Sequence, residues 1–391
     1  MPTWTGSRKV AVIPAIPIGI PGTPADFQAQ VERRIFYDPD PVTGVDRSLR
    51  KYIFSVSYGR AILDADVFAP VNVTWAHSGP NPDPSVGADV HTSMANAIAA
   101  SQPAVANYSY VMVVFPALFH DIGSHAFYGG NVQATSYVFL DNPLGVWAME
   151  LLHMVTEFGD LYINPDHPLP ARPLTPGNLD EMDTAGAMHP STFTKLRMGW
   201  LDAESVKVVN PQQGSSEHVL HPLALLQPAP PGRVTALRIP FSGRANHYLL
   251  VEAREWLDEY DRNTPGLAEG IPLEGPAIYD VDESISPPLW LKAQGLKVGS
   301  SYEDDDQRFK IHVVERIAGG GFRLSVQVLP EPQRCVEIRR EIANAKAEIR
   351  DLQQQLHQSG ANKPAIIEQI GELRAQVSNL QEEAGSLHCT L

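Results

Sequence analysis

The chain has 391 residues, with 45 acidic side chains against 30 basic ones and a net charge of −15. That balance argues against a nucleic-acid or anionic-membrane partner, because either needs a basic face to displace counterions. With 43% hydrophobic and 19% charged residues the chain is not a disordered tail, and its length suggests two or three domains.

Proline is abundant, 34 in 391 residues against an average near roughly 5%, which excludes an all-helical bundle. Two cysteines exclude a disulfide scaffold and a cysteine-built zinc site. No apolar run approaches the ~20 residues of a membrane span, so no membrane span is expected. At the N-terminus, Arg8 and Lys9 precede VAVIPAIPIGI, a loose imitation of a signal peptide. Two prolines in that run, and no small-x-small site after it, make it read as a first β-strand.

Residues 1–203 alternate strand-like and helix-like segments. KVAVIPAIPI reads as a strand, FQAQVERRIF as a helix, and SLRKYIFSVSYGRAIL as a helix ending at Tyr58-Gly59. ADVFAPVNVTW is a strand, HTSMANAIAAS a helix, YSYVMVVFPA a buried strand and GVWAMELLHMVTEF a helix. This alternation is that of an α/β layered domain. Residues 204–333 change to short alternating strands between Pro, Gly and Asp groups, an all-β module: VTALRIPF, HYLLVEARE, PAIYDVDE, FKIHVVERI and FRLSVQVLP. Glycines 319–321 read as a hairpin turn between the last two.

Residues 334–391 carry two heptad seams. Ile338, Ile342, Ala345, Ile349, Leu352 and Leu356 alternate spacings of four and three, as do Ile366, Ile370, Leu373, Val377, Leu380, Ala384 and Leu387. Folding the second helix back about Ala361 pairs Leu356 with Ile366, Leu352 with Ile370, Ile349 with Leu373 and Ala345 with Val377. An antiparallel helical (coiled-coil) hairpin is therefore expected; two helices joining a larger coiled coil is the alternative. The register that pairs Ile342 with Leu380 sets Cys335 opposite Leu387, two residues before Cys389. A Cys335–Cys389 disulfide is thereby expected, which implies a secreted, extracellular protein whose export signal is not in this chain. Two free thiols in a cytoplasmic protein is the alternative.

The chemistry concentrates in GVWAMELLHMVTEFGDLY. A zinc peptidase helix sets two histidines one turn apart on one face, with glutamate beside the first to activate a zinc-bound water. Glu150 and His153 hold the right relative places, and Met149 stands where the first histidine belongs. Taken alone, Glu-x-x-His is a weak signal.

The segment resembles the immune-inhibitor-A and gametolysin type of zincin metallopeptidase, whose helix reads His-Glu-x-x-His and continues to Gly-x-x-Asp-Leu-Tyr. LRKYIFSVSYGRAILDADVFAPV is similar to that family's passage from a helix through Ser-Tyr-Gly into a strand. LDEMDTAGAMHPSTFTKLRMGWLDA resembles its Met-turn region, and HYLLVEAREWLDEYDRNTPGL with GPAIYDVDES resembles its strand pair. The likeness runs in order from about residue 8 to residue 285. It implies a zincin-like N-terminal domain, with Glu150 as catalytic base, His153 and Asp160 as metal ligands and Met182 as the Met-turn methionine.

The departures bear on function. Met149 offers a neutral, soft thioether, poorly suited to Zn²⁺. Thr156 replaces the family's glycine, and Asp160 arrives one residue late, after a left-handed cap expected at Gly159. Asp166, His167, Asp183 and His189 are loop candidates for a third ligand, and His120 and His125 lie at a strand end. Glu157 reads as a solvated carboxylate. The aspartates of INPD and LDEMD could instead hold calcium. Two functions follow: an inactive peptidase homologue that binds a protein or peptide, with the hairpin as docking arm or self-association surface, or an active zinc endopeptidase with an atypical site. No Gly-x-Ser-x-Gly elbow or P-loop is present.

Overall fold

In the computed structural model the N-terminal apolar run is strand β1 (Gly6–Pro17), as its prolines suggest. The structure describes residues 3–18, 22–41, 43–74, 85–116, 124–128, 133–162, 174–241, 246–262, 270–304, 307–329, 333–357 and 362–386. After β1 come α1 (Phe27–Phe36), α2 (Leu49–Val56), β2 (Ala61–Val67), β3 (Val71–Val73), α3 (Ser85–Ala100), β4 (Tyr110–Phe115), β5 (His125–Phe127), β6 (Ala134–Phe139), α4 (Leu144–Thr156), α5 (Glu181–Thr184) and α6 (Thr192–Met198). The β-rich stretch holds β7 (Val206–Val208), β8 (Ser216–Leu220), β9 (Ala236–Pro240), β10 (His247–Arg254), β11 (Gly275–Asp282), β12 (Leu289–Ala293), β13 (Ser301–Asp304), β14 (Phe309–Arg316) and β15 (Phe322–Val328). Helices α7 (Gln333–Gln355) and α8 (Lys363–Ser386) follow.

The first sheet runs β2-β1-β4-β6-β5, with β3 paired to β1. All its pairings are parallel except that of β5, which lies antiparallel to β6 at the edge. Strand alternation divides its apolar side chains between two cores. Val10, Val12, Met112, Val114 and Val138 face α1, α2 and α4. Ala11, Ile13, Val111, Val113, Phe115 and Phe139 face Val90, Met94 and Ala97 of α3. The result is a helix–sheet–helix sandwich whose central strands are buried on both faces.

Local chemistry shifts two of the sequence-based boundaries. The α2 helix ends at Val56, because Tyr58 and Gly59 both take positive φ, 57° and 75°, and the Ser57 hydroxyl caps the Ala61 amide at 3.0 Å. Ala61–Leu63, just past the expected Tyr58-Gly59 helix end, therefore begin a strand. The segment expected as one strand over 65–75 is two, β2 and β3, separated by Pro70. Strands β5 and β6 were not anticipated, although ATSYVF has the β-branched and aromatic composition of a strand.

A second sheet runs β12-β11-β10-β9-β7. Tyr248, Leu250, Ala277, Tyr279, Leu289 and Leu291 join the same core as α4. Between β14 and β15 the glycines turn as expected: Gly319, Gly320 and Gly321 have φ of 80°, 103° and 101°. A Cβ at Gly321 would lie 2.1 Å from the Leu220 carbonyl oxygen, so only glycine fits.

The chain divides into two compact units. One comprises residues 1–210, 217–301 and 312–325, and the other residues 211–216, 302–311 and 326–391. In the second unit, α7 and α8 pack antiparallel. Ile338, Ile342, Val377, Leu380 and Ala384 share one core, and the Arg334 guanidinium donates to both Glu383 oxygens at 2.7 and 2.9 Å. Every described heptad position is buried or half-buried. Cys335 is buried at the start of this seam; Leu387 and Cys389 lie outside the described residues.

Candidate functional site

Helix α4 is apolar all round and buried along nearly its whole length, as befits a helix inside a core. Its first turn presses against the end of α5: a Cβ at Gly145 would sit 1.9 Å from the Ala185 carbonyl oxygen. Its last turn is closed by Thr156, whose hydroxyl donates to the Leu152 carbonyl at 2.6 Å and accepts the Phe158 amide at 3.3 Å. The left-handed cap is Glu157, φ 55°, and not Gly159 as the sequence suggested; its amide donates to the His153 carbonyl. With Thr156 anchoring the backbone on both sides, the chain reverses two residues sooner. Glu157 is exposed, as expected of a solvated carboxylate.

That reversal brings Phe158 and Asp160 back onto His153. The His153 Nδ1 lies 2.5 Å from the Phe158 carbonyl oxygen, and Nε2 lies 2.9 Å from Asp160 Oδ1. A carbonyl only accepts, so Nδ1 carries a proton; a carboxylate accepts from Nε2 when that nitrogen is protonated too. Burial disfavours the imidazolium, but the Asp160 hydrogen bond and charge, the Glu150 charge and the Phe158 carbonyl outweigh it and raise the His153 pKa. Burial likewise opposes Asp160 ionisation and is outweighed by His153 and the Tyr162 hydroxyl, which lower its pKa. The pair is a histidine–aspartate bridge whose charged form both shifts favour.

Glu150, one turn before His153, is 6% exposed. Its Oε2 is buried with no hydrogen-bond partner. Burial pushes this carboxyl up to about 7, against the attraction of His153. Glu150, His153, Asp160 and Tyr162 line a cleft of about 310 Å³ whose other wall is Ser124 with β5 and Tyr128. Tyr128 and Tyr162 are 41% and 40% exposed, and the Tyr128 ring lies nearly parallel to that of His153, centroids 6.1 Å apart. Burial, with His91 and His153 nearby, pushes His125 down, so it stands neutral in this wall.

The other sequence candidates sit elsewhere. Met149 is 6% exposed and belongs to the apolar core; it does not line the cleft. Met182 is fully buried, and its carbonyl accepts the Leu161 amide at 2.9 Å, so the Met-turn candidate braces the Asp160–Tyr162 turn from below. His189 is buried beneath this segment, between Asp258 at 2.6 Å and Lys195 Nζ at 3.0 Å. Asp183 accepts the Gly177 amide, and Asp180 accepts the Met182 and Ser191 amides and the Thr194 hydroxyl at 2.7–3.0 Å. The acidic run that suggested calcium thus binds protein donors. His120, Asp166 and His167 lie outside the described residues.

Among the described residues no three His, Cys, Asp or Glu side chains converge as a metal set. His153 and Asp160 are turned on one another, and with Met149 in the apolar core they make two candidate donors where a catalytic zinc takes three protein ligands, so the described donors do not by themselves complete a zinc site.

The group that fixes the site's floor is one the sequence reading missed. Arg254, wholly buried, donates to the Leu179 and His189 carbonyls and to Glu252 and Asp261, at 2.7–3.1 Å. Glu252 also accepts the Thr192 amide at 2.7 Å and the Tyr279 hydroxyl at 3.0 Å. Strand β10 thereby grips both ends of the segment 179–192 that holds Met182. The signal was present: Glu252 and Arg254 have the same strand parity as Tyr248 and Leu250, so two charges point inward.

No protein-family model matches this chain, and no curated protein matches it in sequence. The likeness to zincin peptidases rests on the motifs described above.

Proposed function

We propose that this chain is a zincin-like protein of the immune-inhibitor-A type with an incomplete zinc site, and that its cleft binds an extended peptide without cleaving it. The observation that carries this reading is the closure of His153 on Asp160 and Phe158, which leaves the inherited ligand positions engaged with each other. Met149 supplies nothing to the cleft. What remains is a recognition surface. β5 is the last strand of its sheet among the described residues, and an extended chain can add to such an edge through main-chain hydrogen bonds. No helix among the described residues is long and apolar enough to cross a membrane. In this reading the C-terminal hairpin is the docking arm, for a protein partner or a second copy.

Hydrogen-exchange mass spectrometry with a pool of extended synthetic peptides tests it. Protection confined to residues 124–128 and 150–162, with the peptides recovered intact, is the expected result. Absence of protection there, or cleaved peptides, would contradict it.

A second reading, an active zinc endopeptidase with an atypical site, draws on Glu150: a buried carboxyl near 7 in a cleft suits a general base. Any turnover should then vanish in Glu150→Gln, with the fold intact.

A further inference from the structure

The cleft has a chemical asymmetry that the peptide-binding reading does not by itself explain. Among the described residues no lysine or arginine lines it. The His153 ring is engaged by Asp160, with Nε2 2.9 Å from Oδ1. Glu150 is left with a buried, unpartnered Oε2. A buried acceptor without a donor is costly, and a charged one more so, unless a guest completes it. Phe127, Tyr128 and Tyr162 stand at the same cleft, and aromatic faces beside a carboxylate attract an organic cation.

Strand parity says how such a cation would arrive. Ala126 of β5 is in the core shared with α4, whereas Phe127 and His125 pack towards His91, with ring centroids 4.8 and 6.4 Å away. A chain added along the edge of β5 must alternate in the same way, so every second side chain falls on the α4 side, beside Glu150.

We propose that this cleft selects an extended peptide carrying one arginine, whose guanidinium pairs with Glu150 and lies between Tyr128 and Tyr162. This rests on the peptide-binding reading above and names its ligand class. Arginine suits the site better than lysine. Its planar fork can bond Glu150 while stacking on a ring, and it sheds water more readily than an ammonium group. A metal ion suits it worse, since among the described residues no three donors converge here.

The test is panning of the immobilised full chain against a randomised octapeptide library, followed by titration of the selected peptide. Selected sequences should share one arginine, flanked by residues of high β-propensity. Replacing that arginine with citrulline, a neutral isostere, should weaken binding about tenfold or more, the worth of one charge-assisted bond. In Glu150→Gln, the arginine and citrulline peptides should bind alike. Selected peptides without a basic residue, or an arginine preference that survives Glu150→Gln, would overturn this inference and leave the binding reading standing. Failure to select any peptide would overturn both.

Discussion

His153 Nε2 lies 2.9 Å from Asp160 Oδ1, so two residues that a zinc peptidase would aim at a common ion are bonded to each other. In the proposed reading, Met149 is the missing neighbour that lets the other two close up.

The bridge should define a pH window. His153 has a raised folded-state pKa, so its contribution is complete below its unfolded value, near 6.5, and fades as pH rises through the higher folded value. Asp160 has a lowered one, so its contribution is complete above 3.8 and fades as pH falls through the lower folded value. Wild type should exceed Asp160→Asn in Tm chiefly between those limits. The gain should be about 1 kcal/mol at most, because a partly exposed carboxylate is screened by solvent. Melting curves from pH 3 to pH 9 would show it, and a difference that widens above pH 8 would refute the bridge.

Arg254→Met should be far more damaging, although it touches no cleft residue. It strands Glu252 and Asp261, both buried, and releases the Leu179 and His189 carbonyls. Breaking a buried ion network in this way costs about 3–5 kcal/mol. Urea denaturation measures it; a loss below about 1 kcal/mol would mean that β10 does not hold the segment 179–192.

The layered sheet, the β-rich stretch and the helical hairpin are legible in the sequence because each depends on periodicity, and burial follows periodicity. Glu150 and His153 are legible because one helical turn fixes their spacing. The rest depends on contacts distant in sequence. The Glu157 cap is an exception: it is set locally, by Thr156 bonding Leu152 and Phe158, but a glycine two residues on is the stronger sequence signal for a left-handed turn and draws the expectation away. The β5 wall, a strand of three residues, is too short to carry a period. Arg254 could have been found, as an inward-facing charge in an apolar strand.

Wild-type protein purified without added metal should carry no stoichiometric zinc. Met149→His restores two histidines at one-turn spacing on α4 and should raise zinc affinity, with Asp160 released from His153 as the metal binds. Elemental analysis and zinc titration decide it. A tightly bound zinc in wild type, unchanged by the substitution, would mean that Met149 does not occupy the first ligand position.

We propose that Cys335 pairs with Cys389 across the open end of the hairpin. Closing a loop of that length should add about 4 kcal/mol in the chain-entropy model, and the bond would support an extracellular setting for the chain. Mass spectrometry of unreduced protein should find one crosslinked peptide pair. Both cysteines freely alkylated after non-reducing isolation would contradict the pairing and favour a cytoplasmic setting.

The central claim is that the cleft between β5 and α4 binds peptides and does not hydrolyse them. Mass analysis of a defined peptide pool, incubated with the full chain and added zinc at neutral pH, tests it most directly. The account predicts that peptides retained by the protein are eluted at full length. New termini that appear with wild type and are absent with Glu150→Gln would contradict it and establish a peptidase.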